Sequence, residues 1–361
     1  MSQGHQSFLA FADDLTGALE VGAKFAAHGI QARVTIGWEP APAADSPPVR
    51  IVDLETRHVS AAEAARRVDR LVRSAADAEL LYAKTDSTLR GNIGSQLGAM
   101  LEAAALPLLY VPAYPAMGRT VVDGRLLVLG TPLEQTVFAR DALNPTTESR
   151  IVEVLRRQTS APVWLADAGS LRADAPAGIY ISNGTSDEDV AAAARFWCAS
   201  GWRCGAGPAA FAEAIAERID LPRSSTAPSF QADSALVVNG SLHEVSLRQI
   251  EQGLPDPHSG WTILEHSGLR GEELGREVRE LVGRSAIKAL IVFGGDTAFA
   301  ILEAFGKPPL EPLGELLPGI PISRLRDRTS QRDLLLITKA GGFGPPDVLA
   351  RLRDRLTGRQ P

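Results

Sequence analysis

The sequence predicts an α/β protein of two domains, each a mostly parallel sheet flanked by helices. With 361 residues the chain exceeds one ordinary domain and suits two. Short apolar runs alternate with alanine-rich helical stretches, which is the βαβ rhythm of parallel sheets. A segment rich in Pro, Ser and Ala, residues 221–233, interrupts this alternation, which then restarts. We therefore place the domain boundary near residue 228 and expect domains at 1–228 and 229–361.

Composition limits which binding partners and which cellular compartment we expect for the protein. A hydrophobic content of 45% and a charged content of 22% are typical of a globular protein. The net charge of −6 argues against a nucleic-acid partner, and no apolar run approaches the ~20 residues that span a bilayer. The first residues reach two aspartates too early for a signal peptide. Cys198 and Cys204 have neither a metal-ligand nor a disulfide-framework spacing. We expect a cytoplasmic protein with reduced thiols and neither a membrane nor a nucleic-acid partner.

The first domain opens with the strand SFLAFADD and the helix LTGALEVGAKFAAHG, which ends at Gly29. The next strand, VRIVDLETR, is followed by a helix with Ser60 as its N-cap. The dipeptide Asp123-Gly124 stands between apolar runs and predicts a two-residue hairpin turn. The remaining strands predicted for this domain are ELLYAKTDS, LPLLYVPAYP, APVWLADAGS and AGIYISNGTS, and a further helix is DEDVAAAARFWCAS.

The second domain repeats the same rhythm. The strand SALVVNGS leads to a helix from about His243. Two further strand–loop–helix units are IKALIVFGGDTAFAILEAFG and RDLLLITKAGGFGPPDVLARLRDRL. Ligands of open parallel sheets bind outside the carboxyl ends of the strands, so we expect the chemistry in the loops that follow them.

Two adjacent aspartates, Asp13 and Asp14, follow the first strand. One of them is explained as a helix cap, whose charge complements the helix dipole. A cap accounts for a single aspartate, so a second one at the same strand end favours a functional site. A carboxylate here could accept hydrogen bonds from substrate hydroxyls or remove a proton from one.

The second polar loop is KTDSTLRGN at residues 84–92. A helix N-terminus favours negative charge, so a cation added there is poor helix design. Arg90 is well placed to fork onto a carboxylate or phosphate, and the open alternative is an internal ion pair with Asp86. The residues that we predict to bind an anionic substrate here are Lys84, Asp86, Ser87, Arg90, Gly91 and Asn92.

The third loop, PAYPAMGRT, brings Arg119 to another strand end. Arg119 is a candidate anion contact, and a solvated surface arginine is the alternative. The segment at residues 138–149 adds many side-chain donors and acceptors, and alone it is equally consistent with an ordered, capped loop.

Two glycine-rich loops follow strands of the second domain. A Gly-Gly pair lets backbone amides approach a ligand closely, and two such loops suggest a phosphate cradle made of N–H groups. Neither loop matches the P-loop or the dinucleotide-binding fingerprint. The residues of the predicted cradle are Gly294, Gly295, Asp296, Thr297, Lys339, Gly341 and Gly342. His243 also lies at a strand-to-helix loop, where a structural role is the alternative.

At these loops the sequence resembles the four-carbon acid sugar kinase family. The likeness runs in family order from about residue 8 to 350. STLRGN and FARDALNPTTES are long and specific, whereas GGDT alone is not. The segments that carry it are ADDLTGA (12–18), KTDSTLRGN (84–92), PAYPAMGRT (112–120), FARDALNPTTES (138–149), GGDT (294–297) and KAGGFG (339–344).

The resemblance implies an ATP-dependent kinase that phosphorylates the terminal 4-hydroxyl of a four-carbon acid sugar such as threonate, erythronate or 3-oxo-tetronate. It implies that the N-terminal domain holds the sugar acid and the C-terminal domain the nucleotide. On this basis Asp13, Asp14 and Arg90 carry over to the sugar-acid pocket, and residues 294–297 with Gly341 carry over to ATP.

One segment departs from the family pattern. The family commonly has SGSCS where this chain has NGSLH at residues 239–243. The final serine, a nucleotide contact in relatives, is His243 here, while Ser241 remains as a candidate contact.

The mechanism that follows is in-line transfer of the γ-phosphoryl group of ATP to a primary hydroxyl, with Mg²⁺ bridging phosphates. We expect Arg90, with Lys84, to clamp the substrate carboxylate and Asp13 or Asp14 to act as the general base. Asp296 is the candidate magnesium ligand, and the site is expected in an interdomain cleft. The rival functions are a non-catalytic sensor of sugar acid or nucleotide and a dehydrogenase with a divergent nucleotide loop. A homo-oligomer is compatible with the sequence.

Overall fold

The computed structural model describes residues 7–38, 46–75, 78–141, 144–225, 230–253, 260–264, 270–327 and 330–358. The chain divides into two compact units. Unit 1 comprises residues 1–21 and 37–223, and unit 2 comprises residues 22–36 and 224–361. The boundary predicted near residue 228 lies outside the described residues.

The elements alternate along the chain as the sequence predicts. The strands are β1 (Phe8–Ala12), β2 (Ala32–Ile36), β3 (Val49–Asp53), β4 (Leu80–Lys84), β5 (Leu108–Tyr110), β6 (Arg119–Val122), β7 (Arg125–Val128), β8 (Thr131–Pro132), β9 (Val163–Ala166), β10 (Ile179–Ser182), β11 (Cys204–Gly207), β12 (Ala235–Asn239), β13 (Trp261–Leu264), β14 (Ala289–Phe293), β15 (Leu310–Leu317), β16 (Ile320–Arg326) and β17 (Asp333–Lys339). The helices are α1 (Leu15–Ala27), α2 (Ala61–Ser74), α3 (Ile93–Ala104), α4 (Ile151–Arg156), α5 (Asp187–Ser200), α6 (Ala209–Ala216), α7 (Glu244–Glu251), α8 (Gly271–Arg284), α9 (Gly295–Ala304) and α10 (Val348–Thr357).

Unit 1 is built on a parallel sheet with strand order β3-β1-β4-β11-β5-β10-β9. Its central strands are apolar on both faces, and every residue of β1 is buried. Such continuous apolar strands are typical of parallel sheets that helices cover on both sides. Ser60 caps α2 as predicted, since its side chain accepts a hydrogen bond from the backbone N–H of Glu63.

The hairpin predicted at Asp123-Gly124 is confirmed. β6 and β7 pair in antiparallel fashion, with Val122 opposite Arg125. Asp123 and Gly124 have φ values of 48° and 70°, and two consecutive positive φ values are the signature of a type I′ turn.

Unit 2 combines a parallel and an antiparallel half. Strands β13, β12, β14 and β17 are parallel neighbours in that order, and the series continues through β16 and β15 to β2 by antiparallel pairing. Buried apolar residues of β12, β14, β17 and α10 form one core cluster in this unit. The α/β class with a mostly parallel sheet is confirmed, while the β15–β16 hairpin was not predicted. No helix in the described part of the chain is both long and apolar enough to cross a membrane.

Candidate active site

The strands of unit 1 end in register. Ala12 at the end of β1 is opposite both Asp53 of β3 and Lys84 of β4. The loops that follow these strands therefore lie side by side at the carboxyl edge of the sheet, where Asp13, Asp14 and residues 84–92 were predicted to form a pocket.

The two adjacent aspartates have different roles in the structure. Asp14 is the N-cap of α1, because its Oδ1 accepts the N–H of Gly17 at 2.8 Å. Its side chain is 26% exposed. Asp13 is only 3% exposed, and its backbone oxygen accepts the N–H groups of Thr56 and Arg57. Helix capping therefore accounts for Asp14. It does not account for the burial of Asp13, which needs another explanation.

Arg57, which was not predicted from the sequence, supplies that explanation. Its guanidinium forks onto Asp13, with Nε donating to Oδ2 and NH2 to Oδ1, both at 2.8 Å. It also donates to Oδ2 of Asp14, and it lies 3.6 Å from Oδ2 of Asp86. Arg57 follows the end of β3 by a few residues, so the rule that directed attention to the ends of the other strands could have identified it.

Burial and charge oppose one another in this cluster. Burial raises the pKa of Asp13 although Arg57 acts to lower it. Burial alone would lower the pKa of Arg57, but the charges of Asp13 and Asp14 raise it well above its usual range. Arg57 therefore stays a cation and holds the carboxylates around it in fixed orientations.

Arg90 forms the internal ion pair with Asp86 that the sequence left open as an alternative to a ligand contact. Its Nε and NH2 fork onto Asp86 at 3.1 and 2.7 Å, and NH1 lies 3.4 Å from Oδ2 of Asp141. Burial alone would raise the pKa of Asp86, but Arg90 and Arg57 bring it well below its usual range. Asp86 also accepts the N–H and hydroxyl of Thr88, so its carboxylate organises the whole turn. A ligand contact by Arg90 stays a prediction, now with this competing partner.

The backbone of this turn is unusual. Leu89 and Gly91 have φ values of 59° and 87°, in the left-handed region. A Cβ atom at Gly91 would lie 3.1 Å from Oδ2 of Asp13, so the glycine allows the turn to approach the Asp13–Arg57 pair. The side-chain amide of Asn92 donates to the carbonyls of Thr56 and Val59. Asn92 thereby holds the segment that carries Arg57.

Two further cations, Lys84 and Arg119, belong to the residues predicted to bind the substrate. Buried Lys84 lies 3.5 Å from Oε2 of Glu20, whose Oε1 accepts the hydroxyl of Tyr114. Arg119 donates to the carbonyl of Met117 and stands 5.8 Å from the ring centroid of Phe138. Arg119 is half-buried and its Nε is fully buried, so it is not a fully solvated surface arginine.

A cavity of about 300 Å³ opens beside this cluster. It is bordered by Arg90 and Gly91 on one side and by the segment from Asn144 to Glu148 on the other. Ser87 is half-buried in the same turn. The cavity therefore lies between the predicted substrate-binding turn and the segment at residues 138–149, whose role the sequence left open.

The parallel strands of unit 2 also end in register. Asn239 of β12 is opposite Phe293 of β14, which is opposite Lys339 of β17. The three loops that follow, at residues 240–243, 294–297 and 340–344, therefore meet at one edge. Gly240 packs against the side chain of Thr297 so closely that a Cβ atom would lie 1.8 Å from its Oγ1.

Helix α9 begins without a side-chain cap. Its N-cap is Gly294, with a φ of 111° that side chains rarely adopt. The first N–H groups of the helix, from Gly295 onward, thus have no capping side chain, which is the usual geometry of an anion site. Asp296 lies in this first turn and is exposed.

Lys339 has a different role from the predicted phosphate contact. Its ammonium donates to the carbonyls of Ala340, Gly341 and Phe343 and to the hydroxyl of Ser246, all at 3.0 to 3.1 Å. The ammonium also lies 4.5 Å from the ring centroid of Phe293, and burial lowers the pKa of Lys339 to about 8. These contacts occupy its donors, so Lys339 shapes the loop rather than reaching out of it.

Helix α7 holds the other side of that loop. Ser246 donates to the carbonyl of Gly341 at 2.8 Å, and the amide of Gln249 donates to the carbonyls of residues 343, 344 and 345. Ser246 and Gln249 were not predicted from the sequence. Within the described residues, the N–H groups of Gly341 and Gly342 donate to no other group of the chain. The loop thus directs its carbonyls toward Lys339, Ser246 and Gln249.

His243 acts as the N-cap of α7. Its Nδ1 accepts the N–H of Val245 at 3.2 Å, and its own N–H donates to Oγ of Ser241. A Cβ atom at Gly342 would lie 3.2 Å from Nε2 of His243, and one at Gly341 would lie 2.6 Å from Oγ of Ser241. Both side chains therefore lie beside the glycine loop, and their contact with a nucleotide stays a prediction.

The chain matches two family models. Residues 8–215 match a sugar-binding N-terminal domain, and residues 265–349 match a nucleotide-binding C-terminal domain. The first match alone covers more than half of the chain. These two matches define an enzyme class in which one domain binds a sugar and a separate domain binds a nucleotide. The chain belongs to the four-carbon acid sugar kinase family.

Curated relatives extend over nearly the whole chain. A D-threonate kinase of Salmonella typhimurium is 27% identical and covers 94% of this chain and 96% of its own length. A 3-oxo-tetronate kinase of Methylobacterium radiotolerans is 26% identical and covers 96% of this chain and 98% of its own. A D-erythronate kinase of Heliobacterium modesticaldum is 30% identical over 66% of this chain and 58% of its own.

Solved structures share the fold. A Salmonella typhimurium protein has a TM-score of 0.79 at 18% identity and covers 96% of this chain and 98% of its own. A Bordetella bronchiseptica protein, a domain-swapped dimer with bound citrate, has a TM-score of 0.53 at 26% identity and covers 98% of both chains.

Proposed function

We propose that this protein is an ATP-dependent kinase that phosphorylates the 4-hydroxyl of a four-carbon sugar acid such as threonate, erythronate or 3-oxo-tetronate. Unit 1 binds the acid and unit 2 binds the nucleotide. The full-length relatives named for three such kinases support the substrate class. Phosphoryl transfer needs the substrate hydroxyl and the γ-phosphate to come within reach, and the cleft between domains expected from the sequence stays a prediction.

The observation that carries the proposal is the loop at residues 340–345. Lys339, Ser246 and Gln249 hold its carbonyls, so the amides of Gly341 and Gly342 are left to bind an anion. The uncapped start of α9 lies after the neighbouring strand and adds further N–H donors. Backbone amides of this kind are well suited to phosphate oxygens.

The environments of the two aspartates favour Asp14 as the general base. Both oxygens of Asp13 are engaged by the Arg57 fork, and Asp13 is almost fully buried. Asp14 is more accessible, and each of its oxygens accepts one bond, from Gly17 and Arg57 respectively. A carboxylate oxygen has capacity for a second donor, so Asp14 can also accept the proton of a substrate hydroxyl.

The residues present fit a magnesium ion that arrives with the nucleotide. Among the described residues, no group of three or more His, Cys, Asp or Glu side chains could hold a metal. Mg²⁺ commonly uses one or two carboxylates together with phosphate oxygens, and exposed Asp296 beside the start of α9 supplies one. The ion would neutralise charge on the phosphates.

A coupled assay of ADP release tests the proposal. The purified protein is given ATP, Mg²⁺ and each of D- and L-threonate, D- and L-erythronate and 3-oxo-tetronate, with the neutral polyol threitol as control. We expect ADP release with at least one acid and a 4-phosphorylated product by ³¹P NMR. The absence of turnover with every acid, combined with stabilisation by an acid or ADP in thermal melts, would identify a non-catalytic sensor instead.

We further propose that the protein works in the cytoplasm as a homo-oligomer. Support for self-association comes from the Bordetella bronchiseptica relative, whose structure is a domain-swapped dimer. Light scattering coupled to size exclusion tests this, and a monomer mass across the working concentration range contradicts it.

A further inference from the structure

Of the arginines described above near the predicted sugar-acid residues, Arg57 and Arg90 already have carboxylate partners. Arg57 forks onto Asp13 and also binds Asp14. Arg90 forks onto Asp86 and lies close to Asp141. The charge of each of these two guanidinium groups is already balanced by at least one carboxylate, so each attracts an added carboxylate less strongly than an unpaired cation would. Neither of these two arginines is therefore the best receptor for the acid group of a substrate.

Arg119 differs from both. Within the part of the chain that the structure describes, it forms no ion pair with a carboxylate, and its Nε is buried without a hydrogen-bond partner. Its NH1 donates to the carbonyl of Met117, and Phe138 stands beside the guanidinium. A buried cationic donor without an anion is costly, so an anion that reached Arg119 would remove part of this cost.

The neighbours of Arg119 link it to the predicted substrate-binding residues. Its backbone pairs with Tyr114 in both directions, at 2.8 and 3.0 Å, and the hydroxyl of Tyr114 reaches Glu20, the partner of Lys84. Burial lowers the pKa of Arg119, while the charges of Asp86 and Arg90 are close enough to act on it in opposite directions. An incoming carboxylate would restore the missing counter-charge.

We propose that Arg119, rather than Arg90, binds the carboxylate of the sugar acid and thereby selects acids over neutral polyols. This inference rests on the proposed function and specifies the acid subsite within it. Arg90 is then a positioning residue, because it acts through Asp86 on the turn at residues 86–91.

Calorimetric binding without nucleotide tests the assignment. Threonate and erythronate are titrated against the wild type, Arg119→Gln and Arg119→Lys, together with their uncharged amides, threonamide and erythronamide. In Arg119→Gln we expect the Kd of the acid to rise roughly 10- to 100-fold, the scale of a lost charge-assisted contact, with the Kd of the amide nearly unchanged. Arg119→Lys should recover part of the loss. The matched control is Arg172→Gln, which removes an exposed arginine paired with Asp174.

The outcomes separate the subsite from the kinase proposal. A purely structural role would weaken the acid and amide equally and lower the melting temperature. Unchanged acid affinity in Arg119→Gln, or equal losses for acid and amide, overturns the inference, as does a wild type that binds neither acid. If acid binding depends on Arg119 but no acid is turned over, the acid subsite is supported and the kinase proposal is contradicted.

Discussion

Asp13 and Asp14 are neighbours in sequence but have different surroundings, and this difference decides their chemistry. We expect Asp14→Asn to lower kcat about 10²- to 10⁴-fold, because an amide cannot take a proton from the substrate hydroxyl. Asparagine caps a helix as well as aspartate does, so the bond from Gly17 can persist. Steady-state kinetics and urea unfolding check both parts. The control is Asp69→Asn on the exposed face of α2, and a kcat above a tenth of wild type in Asp14→Asn would contradict the assignment.

Arg57 should matter more for stability than for chemistry. Its removal in Arg57→Ala leaves Asp13, Asp14 and Asp86 close together without their shared cation. Breaking a buried ion pair in this way costs about 3 to 5 kcal/mol of unfolding free energy. Urea unfolding measures the loss, with Arg73→Ala, an exposed ion-pair variant on α2, as control. Equal shifts for the two variants would show that the cluster is not stabilising.

The residue scale also shows what a sequence can reveal about a site. Asp13, Asp14 and residues 84–92 could be predicted because they follow strands directly. Arg57 could not be matched to Asp13, since the two lie 44 positions apart and meet only through the pairing of β1 with β3. The choice of partner for Arg90 was open for a different reason: the sequence favours a ligand but leaves Asp86, four residues earlier, as an alternative that only geometry can test.

At the scale of elements, the loop after β17 depends on a charged Lys339. Burial sets its pKa at about 8, so the ammonium loses its proton above that pH and its bonds to three carbonyls weaken. We expect the KM for ATP to rise between pH 7 and 9 while the KM for the acid does not share this rise. In Lys339→Met, the KM for ATP should be high at every pH.

The sign of the pH effect on stability separates loop loosening from unfolding. The pKa of Lys339 is about 8 in the folded state, against 10.5 for a lysine in an unfolded chain. Between these values the unfolded chain binds more protons, so the Lys339 contribution to stability becomes more favourable as pH rises through this window. A KM increase that coincides with a falling melting temperature, or one that persists in Lys339→Met, would contradict the prediction.

The two hairpins show which local sequence signals are sufficient to predict a hairpin. Asp123-Gly124 encodes its own turn, because both residues tolerate positive φ values. β15 and β16 were missed since Pro312 and Pro321 argue against strands there. The structure accommodates them with register shifts between Pro312 and Gly314 and between Glu315 and Leu317. Residue types alone do not reveal such bulges, which place two residues of one strand opposite one residue of its partner.

On the scale of the whole molecule, unit 2 is not continuous in sequence. Residues 22–36 precede most of unit 1, yet β2 extends the antiparallel half of the unit 2 sheet by pairing Val34 with Leu310 of β15. Gly22 contributes to the same contact, since a Cβ atom there would lie 2.5 Å from the ring of Pro312. A linear division of the sequence by composition has no means of detecting such an exchange.

The ion pair between Lys24 and Glu315 tests whether this inserted segment stabilises unit 2. Their atoms are 3.0 Å apart, and both side chains are largely buried. Lys24→Met keeps the apolar stem and removes the charge, so we expect the free energy of unfolding to fall by about 3 kcal/mol. Adding Glu315→Met should restore most of this, because an apolar pair needs no partner. Urea unfolding measures these changes. The control is Lys288→Met, which removes the charge from an exposed ion pair with Asp233 and should change the free energy of unfolding by less than about 0.5 kcal/mol. Similar shifts for Lys24→Met and Lys288→Met would mean that residues 22–36 are dispensable for the stability of unit 2.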